Sequence, residues 1–391
     1  MLISEVTFWI SLVLLFYCYI GYGILVFLIN RIRTVFQKKP QYSDNLLPPV
    51  TLIITAYNEA AILKEKLFNT TAIDYPEENF NVIVITDGSA DDSLFYLKEF
   101  PAFTHLHQDA RLGKLAAIKR AMQVVKSPIV VFSDANTMLN PDCIKKIVRH
   151  YNDVSVGGVA GEKKILSVKG SAVGEAEGLY WKYESFMKRE DARLNTVVGA
   201  AGELFSIRTE LFEPLADNVI LDDFVISMNV CLKRKKIAYE PEAFASELPS
   251  LSMTEERKRK VRISAGAYQS IPLLRQTLNI FRHPLLTVQY ISRRLLRWVV
   301  CPVMIIVLLV TNIFLFVQDV NEIYKWAFYI QITIYLAALF GWILISLNKK
   351  AGILAIPFYF LFMNFCLIQG FIRFVKNKQS VTWERSKRVQ V

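Results

Sequence analysis

Apolar residues fall into two patterns that divide the chain. The first is the long unbroken run. Phe8–Ile29 is apolar throughout, with Ser11 its most polar member. At 1.5 Å per residue it spans about 33 Å, enough to cross a bilayer core. Three more runs, Trp298–Val317, Tyr324–Leu347 and Ala351–Ile372, follow towards the C-terminus, separated by short polar links. The second pattern fills the middle. Val50–Thr55, Asn81–Thr86 and Ile129–Ser133 are short continuous apolar runs, as in strands buried on both faces. Polar turns and helical stretches separate them. Ala56–Glu59 leads into a helix ending near Thr70, Asp87–Asp92 supplies an N-cap, and Lys114–Val125 reads as a further helix. This β-turn-α repetition predicts a mostly parallel α/β sheet covered by helices. Ligands of such sheets bind beyond the carboxyl ends of the strands.

Charge sets an expected topology. Arg31, Arg33, Lys38 and Lys39 follow the first run, which places the N-terminus outside and the middle domain in the cytoplasm. Arg293, Arg294 and Arg297 precede the second run, the link after it is acidic, and Lys349-Lys350 falls inside. A third full crossing leaves a basic tail outside, against the charge rule, whereas Pro357 offers a kink or a re-entrant segment. The side of the tail stays open. Between Ser264 and Arg297 apolar and basic residues mix, which suits either interfacial amphipathic helices or helices packed on the middle domain. The expected division is a transmembrane helix at 1–30, a cytosolic domain at 49–263, interfacial helices at 264–297, three membrane segments at 298–372 and a basic tail at 373–391.

Composition agrees with both patterns. Of 391 residues 53% are hydrophobic and the mean hydropathy is +0.30, too apolar for a disordered or ordinary soluble chain. The 21% of charged residues requires a polar domain as well. Five cysteines without a C-x-x-C pair and only four histidines argue against a disulfide framework or a zinc site. No strand is followed by a dinucleotide glycine fingerprint or a phosphate-loop lysine motif, so hydride transfer and P-loop chemistry drop out. The net charge is +11, yet no basic, aromatic-bearing surface runs through the middle domain, and nucleic acid is not an expected partner.

Three predicted strand ends deliver acids: Glu59, Asp87 and Asp134. One such acid is an ordinary helix cap, but three on one rim call for a cation or polar hydroxyls. Asp134-Ala135-Asn136 offers a carboxylate and a neutral carbonyl at i and i+2, suited to Mg²⁺ or Mn²⁺ with a diphosphate, or else to an Asx turn. Arg111-x-Gly113-Lys114 opens a helix and so suits phosphate, or a solvated turn. The adjacent carboxylates of Asp222-Asp223 repel, which raises the proton affinity of one and suits a general base; the alternative is a helix cap. The basic run Arg257–Arg262 suits anionic lipid headgroups or a nucleotide diphosphate and acceptor. Glu175, Trp181, Tyr183 and Glu184 lie on a helix expected over Gly174–Arg193, as a sugar-stacking face or as core packing.

With these motifs in this order, the chain resembles the membrane-embedded inverting glycosyltransferases of family 2, which include synthases of cellulose, chitin, hyaluronan and poly-N-acetylglucosamine. The resemblance implies a GT-A (Rossmann-like) cytosolic domain and a nucleotide-sugar donor, a UDP-sugar. By its motifs, Ala56, Tyr57, Glu59, Asp87, Lys114 and Asp134 contact the nucleotide-sugar, and Asp134 and Asn136 hold the Mg²⁺ or Mn²⁺. Gly202, Asp222, Arg259 and Arg262 line the acceptor and diphosphate, and Asp223 is the catalytic base. Gly199–Gly202 with Phe205–Arg208 resembles the acceptor segment, and Arg259–Ile263 stands where synthases carry Gln-x-x-Arg-Trp. Asn136 replaces an Asp of the family pattern, and Arg259 and Ile263 replace its Gln and Trp. These departures bear on metal binding and on processive growth. The implied function is transfer to a growing β-linked polysaccharide at the cell membrane, accompanied by export and by a second copy or an export partner. The other acceptor is a lipid carrier or glycolipid, and a non-enzymatic reading is a membrane scaffold or sugar-nucleotide sensor. Trp383-Glu384-Arg385 reaches the site only with a cytoplasmic tail.

Overall fold

The computed structural model describes residues 1–36, 47–166 and 172–377. Trp383–Arg385 and Lys38-Lys39 lie outside these described residues. Eight strands form one sheet: β1 (Val50–Ala56), β2 (Phe80–Asp87), β3 (Thr104–Gln108), β4 (Ile129–Asp134), β5 (Met138–Leu139), β6 (Val156–Ile165), β7 (Phe205–Arg208) and β8 (Lys236–Glu247). Their spatial order is β3-β2-β1-β4-β7-β6-β8-β5. The first four are parallel, so Asp87, Ala56 and Asp134 end on one rim. β7 runs antiparallel to β4 and to β6, whereas β8 is parallel to β6. Reversal of β7 brings its leading segment, which contains Gly202, to the same rim as Asp134. The ends of β6 and β8 arrive there too.

The helices are α1 (Leu2–Phe16), α2 (Tyr22–Phe36), α3 (Ala60–Thr71), α4 (Ser93–Leu97), α5 (Lys114–Met122), α6 (Cys143–Val148), α7 (Ala172–Leu194), α8 (Asp222–Leu232), α9 (Met253–Leu273), α10 (Pro284–Tyr290), α11 (Cys301–Val317), α12 (Glu322–Ser346) and α13 (Ala355–Val375). Strand alternation supplies a core on each face of the sheet. Leu52 and Ile54 of β1 pack with Leu63, Leu67, Ile144 and Ile147 of α3 and α6. Ile53, between them, points the other way to Ile118 of α5 and Phe224 and Met228 of α8. The fold is a mostly parallel α/β sheet with long apolar helices.

Four helical stretches are long and apolar enough to cross a membrane: Leu2–Thr34, Pro284–Val317, Glu322–Ser346 and Gly352–Val375. The first joins α1 to α2 through a π turn at Tyr17–Gly21, and the second joins α10 to α11 through one at Ile291–Val300. Pro357 sits in the first turn of α13, where a missing N–H removes no helical hydrogen bond, and the segment is one helix of 21 residues. The mixed stretch after Ser264 begins inside α9. That helix starts at a Ser-x-x-Glu cap, with Ser252 accepting from the Glu255 N–H at 3.3 Å. It packs along α13, and a side chain at Gly370 would meet Ser264 Cβ at 2.4 Å.

Polar contacts tie the N-terminal helices to the sheet domain. The Tyr22 hydroxyl donates to Asp191 Oδ1 at 2.7 Å, Asn30 donates to the Glu190 carbonyl at 2.8 Å, and Arg33 donates to the Leu194 carbonyl at 2.7 Å. All three acceptors lie on the last turns of α7.

Candidate active site

Four elements deliver the central charges. Asp134 ends β4, Lys114 opens α5, and Asp222 and Asp223 are the first residues of α8, where the helix dipole favours acids. Lys114 Nζ donates to Asp134 Oδ1 at 2.6 Å and lies 3.9 Å from Asp222 Oδ2. Gly202 lets them converge. A Cβ there would lie 3.0 Å from Lys114 Nζ, 3.2 Å from Asp223 Oδ2 and 3.6 Å from Asp134 Oδ2.

Burial and the neighbouring Asp222 carboxylate push the Asp223 pKa up to about 7, against the pull of Lys114. A carboxylate that titrates near neutrality on a cavity wall suits a general base. Burial also raises the Asp134 pKa, opposed by Lys114. For Lys114 itself burial favours the neutral amine, but Asp134, Asp222 and Asp223 outweigh it and keep the ammonium charged. Glu203 behaves in the opposite way: burial is overcome by Lys163, and its carboxyl is held well below the usual range.

One cavity of about 1240 Å³ collects Glu59, Lys114, Asp134, Asn136, Gly202, Asp222, Asp223, Arg259 and Arg262. Of the nucleotide-side residues, Ala56, Tyr57 and Asp87 are not on its wall. Ala56 is buried at the end of β1, and Tyr57 lies under the Arg111 guanidinium, 3.8 Å from the ring centre. Asp87, 1% exposed, accepts from the Gly113 N–H at 2.6 Å and from Arg120 at 3.2 Å. Its carboxylate therefore holds the turn that presents Lys114. Gly113 has φ +101°, a left-handed value that favours glycine.

Arg259 lines the cavity, but its guanidinium donates to Glu177 at 2.7 Å and to Glu256 at 2.9 Å. The Tyr359 hydroxyl of α13 also donates to Glu256, at 2.8 Å. On α7, Glu175 pairs with Lys350 at 3.1 Å, and Glu184 accepts from Arg297 at 2.8 Å and Arg293 at 3.1 Å. Trp181 faces the cavity with Lys163, Lys188 and Lys260 around its ring.

Sequence reasoning missed a buried network on this rim. Lys163 of β6 pairs with Glu203 and Glu247, and Asn136 donates to Glu247 at 3.2 Å. Nothing local marks it, because its members lie on separate strands and a loop. The pairing of Arg293 and Arg297 with Glu184 did leave a trace: the arginines are four apart, on one helical face.

The donor set bears on a cation. Among the described residues no group of three His, Cys, Asp or Glu side chains gathers to hold a metal. Asp134 and Asn136 nevertheless share the cavity wall as hard oxygen donors, and Asp222 Oδ2 is buried with no hydrogen-bond partner among the described residues. Such a site fits a hard divalent cation completed by phosphate and water oxygens.

Comparisons with known proteins bear on the fold and the reaction class. Residues 51–215 match the Glycosyl transferase family 2 model. The chain is 25% identical over 293 residues to poly-beta-1,6-N-acetyl-D-glucosamine synthase of Staphylococcus aureus (strain COL), covering 71% of this chain and 69% of that one. It is 23% identical over 185 residues to beta-monoglucosyldiacylglycerol synthase of Trichormus variabilis, covering 45% and 39%. In fold it is similar to the mannosyltransferase PcManGT of Pyrobaculum calidifontis, solved with GDP-Man and Mn²⁺, at a TM-score of 0.70 and 17% identity over 95% of this chain and 100% of the other. Residues 51–215, which supply Lys114, Asp134 and Gly202, therefore form a Glycosyl transferase family 2 domain, and the chain carries the domain of an inverting glycosyltransferase.

Proposed function

We propose that the chain transfers a sugar from a UDP-sugar to a growing β-linked saccharide at the cytoplasmic face of the cell membrane. The observation that carries this reading is the convergence of Lys114, Asp134 and Asp223 on Gly202 within one cavity. Asp223 accepts the proton of the acceptor hydroxyl as that oxygen attacks the anomeric carbon from the face opposite the leaving group. Lys114, kept charged by its three acids, faces the departing diphosphate. Asp134 and Asn136 would hold a Mg²⁺ or Mn²⁺ ion, which supplies Lewis-acid stabilisation of the diphosphate. Arg262 shares the wall on the acceptor side. Asp87 acts behind the site through Gly113.

The synthase likeness supports polymer growth, and the four long apolar helices support a multi-pass protein with its catalytic domain in the cytoplasm. A second reading, single transfer to an amphiphile, is favoured by the apolar part of the cavity wall, where Phe16, Ile20, Phe360 and Leu367 join Ile263. A silent scaffold has no use for three charged groups converging on a glycine.

The test is purified protein incubated with UDP-glucose, UDP-N-acetylglucosamine and UDP-glucuronate, with UDP release measured and products sized and extracted into organic solvent. Release from one donor with water-soluble products of many sugars supports polymer growth. Organic-extractable product of one added sugar supports the second reading. No release from any donor overturns both.

A further inference from the structure

α3 buries a basic side chain where its pattern calls for an apolar one. Its inward positions are Leu63, Lys66, Leu67 and Thr70, the i, i+3, i+4, i+7 stripe of a helix packed on a sheet. Leu63 and Leu67 join the core beside β1. Lys66 is fully buried with them and does not line the catalytic cavity. Among the described residues it has no ion-pair partner. Burial pushes its pKa down to about 7, while the charges of Cys143 and Asp134 pull the other way.

The bonds of Lys66 go to the two residues that flank Asp134-Ala135-Asn136. Its Nζ donates to Ser133 Oγ at 2.8 Å and to the Thr137 carbonyl at 2.6 Å. The Ser133 hydroxyl accepts from Lys66 and so turns its own proton away. The nearest acceptor for that proton is the carbonyl of Glu203, the residue after Gly202, at 3.1 Å. The Thr137 hydroxyl donates to the Asp134 carbonyl at 3.0 Å, which closes the turn on itself. One turn along α3, Asn69 donates to the Leu139 carbonyl and accepts from the Leu139 N–H, both at 2.8 Å, and fixes β5 behind the turn. A buried amine costs more than a Met of similar volume would. What the amine adds is a bridge across the turn that presents Asp134 and Asn136. Either protonation state of Lys66 has the two N–H groups that the bridge uses.

We propose that Lys66 is a positioning residue: by bridging Ser133 to Thr137 it holds Asp134 and Asn136 at the spacing that a divalent cation and its diphosphate require. This rests on the reading above in which Asp134 and Asn136 hold that cation. Lys66 touches neither the cation nor the substrate and acts only through the turn. By way of Ser133 and the Glu203 carbonyl, the same bridge reaches the segment that carries Gly202.

The test is binding of Mn²⁺ in the presence of UDP to the full chain in neutral detergent, read from the loss of the free-ion signal in electron paramagnetic resonance. UDP release is measured alongside, as a function of Mn²⁺ concentration. Loss of a partner that holds metal ligands in place predicts weakening of about 10–100-fold in Lys66→Met, and UDP release should recover in part as Mn²⁺ is raised. Leu67→Ala, a core truncation on the same face of α3, should lower the melting temperature and leave Mn²⁺ binding unchanged. Equal weakening in Lys66→Met and Leu67→Ala overturns the positioning role. Ser133→Ala removes one arm of the bridge and should weaken Mn²⁺ binding in the same direction, so it carries the test if Lys66→Met does not fold. Mn²⁺ binding as tight as wild type in Lys66→Met, or in Ser133→Ala where that variant stands in, overturns the proposal and leaves the cation reading intact. No Mn²⁺ binding by the wild type overturns the cation reading and this proposal with it. Mn²⁺ binding that depends on Lys66, without UDP release from any donor, overturns only the catalytic reading.

Discussion

Lys114 Nζ lies 2.6 Å from Asp134 Oδ1, which joins the first residue of α5 to the last of β4. The strand order puts Asp134 on the rim, and the Asp87–Gly113 bond aims the turn that carries Lys114. Neither residue needs a long-range contact of its own to find the other. On the proposed reading this ion pair marks the donor end and leaves the acceptor chemistry to Asp223 across Gly202.

Replacement of Asp223 by Asn should remove the base and keep the shape. Turnover is expected to fall by roughly 10²–10⁴-fold, with nucleotide-sugar affinity within a few-fold of wild type. Steady-state UDP release and calorimetric donor binding check the two halves. Near-normal turnover would remove Asp223 from the reaction.

The pH profile follows from the same group. Only ionised Asp223 accepts a proton, so the rate should rise with pH through about 7, where half of the base is ionised, and level off above it. Asp222→Asn deletes the neighbouring negative charge and should shift that rise to lower pH. The stability effect has the opposite sign. The folded pKa lies above the unfolded carboxylate value of about 4, so ionisation opposes folding, and stability falls as pH rises from about 4 through 7. Asp223→Asn should therefore melt higher than wild type at pH 8, by thermal unfolding in detergent.

Gly202→Ala probes the convergence directly. Its methyl would press on Lys114 Nζ and Asp223 Oδ2. Displacements of this order cost up to about 10²-fold in rate. UDP release should drop at least about tenfold while the melting temperature changes little.

Arg259→Gln separates support from contact. Removing the guanidinium leaves Glu177 and Glu256 facing each other in a buried site, which costs about 3–5 kcal/mol. A clear loss of thermal stability is expected, and the Glu177→Gln, Arg259→Gln double variant should recover part of it. A variant as stable as wild type with weakened donor binding would assign Arg259 to the diphosphate instead.

Much of the architecture was legible along the chain because local pattern and tertiary role coincide. β1, β2 and β4 are buried on both faces, so their sequences are unbroken apolar runs. β6 was not legible. It contains Gly157, Gly158 and Gly161, which read as loop, yet each is there because a Cβ would meet a neighbour at 2.6–2.8 Å. β8 carries Lys236, Glu240 and Glu247 and hides its strand character for a related reason: its buried acids are partnered by His150 and Lys163 from elsewhere in the fold. The motifs around Lys114, Asp134 and Asp223 were legible because each lies at an element boundary. The hydrogen bonds of Asp87 to Gly113 and Arg120 were not, since both partners lie well along the chain from it. Arg293, Arg294 and Arg297 read as charges flanking a membrane run, and only the fold shows that Glu184 of α7 pairs with Arg293 and Arg297.

Tyr22, Asn30 and Arg33 fasten the first apolar helix to the final turns of α7, so with that helix across a bilayer, as proposed, Asp223 would stand at a set height relative to the lipid. On the proposed reading the enzyme would work like a plane held at constant depth, reaching only hydroxyls carried at that level.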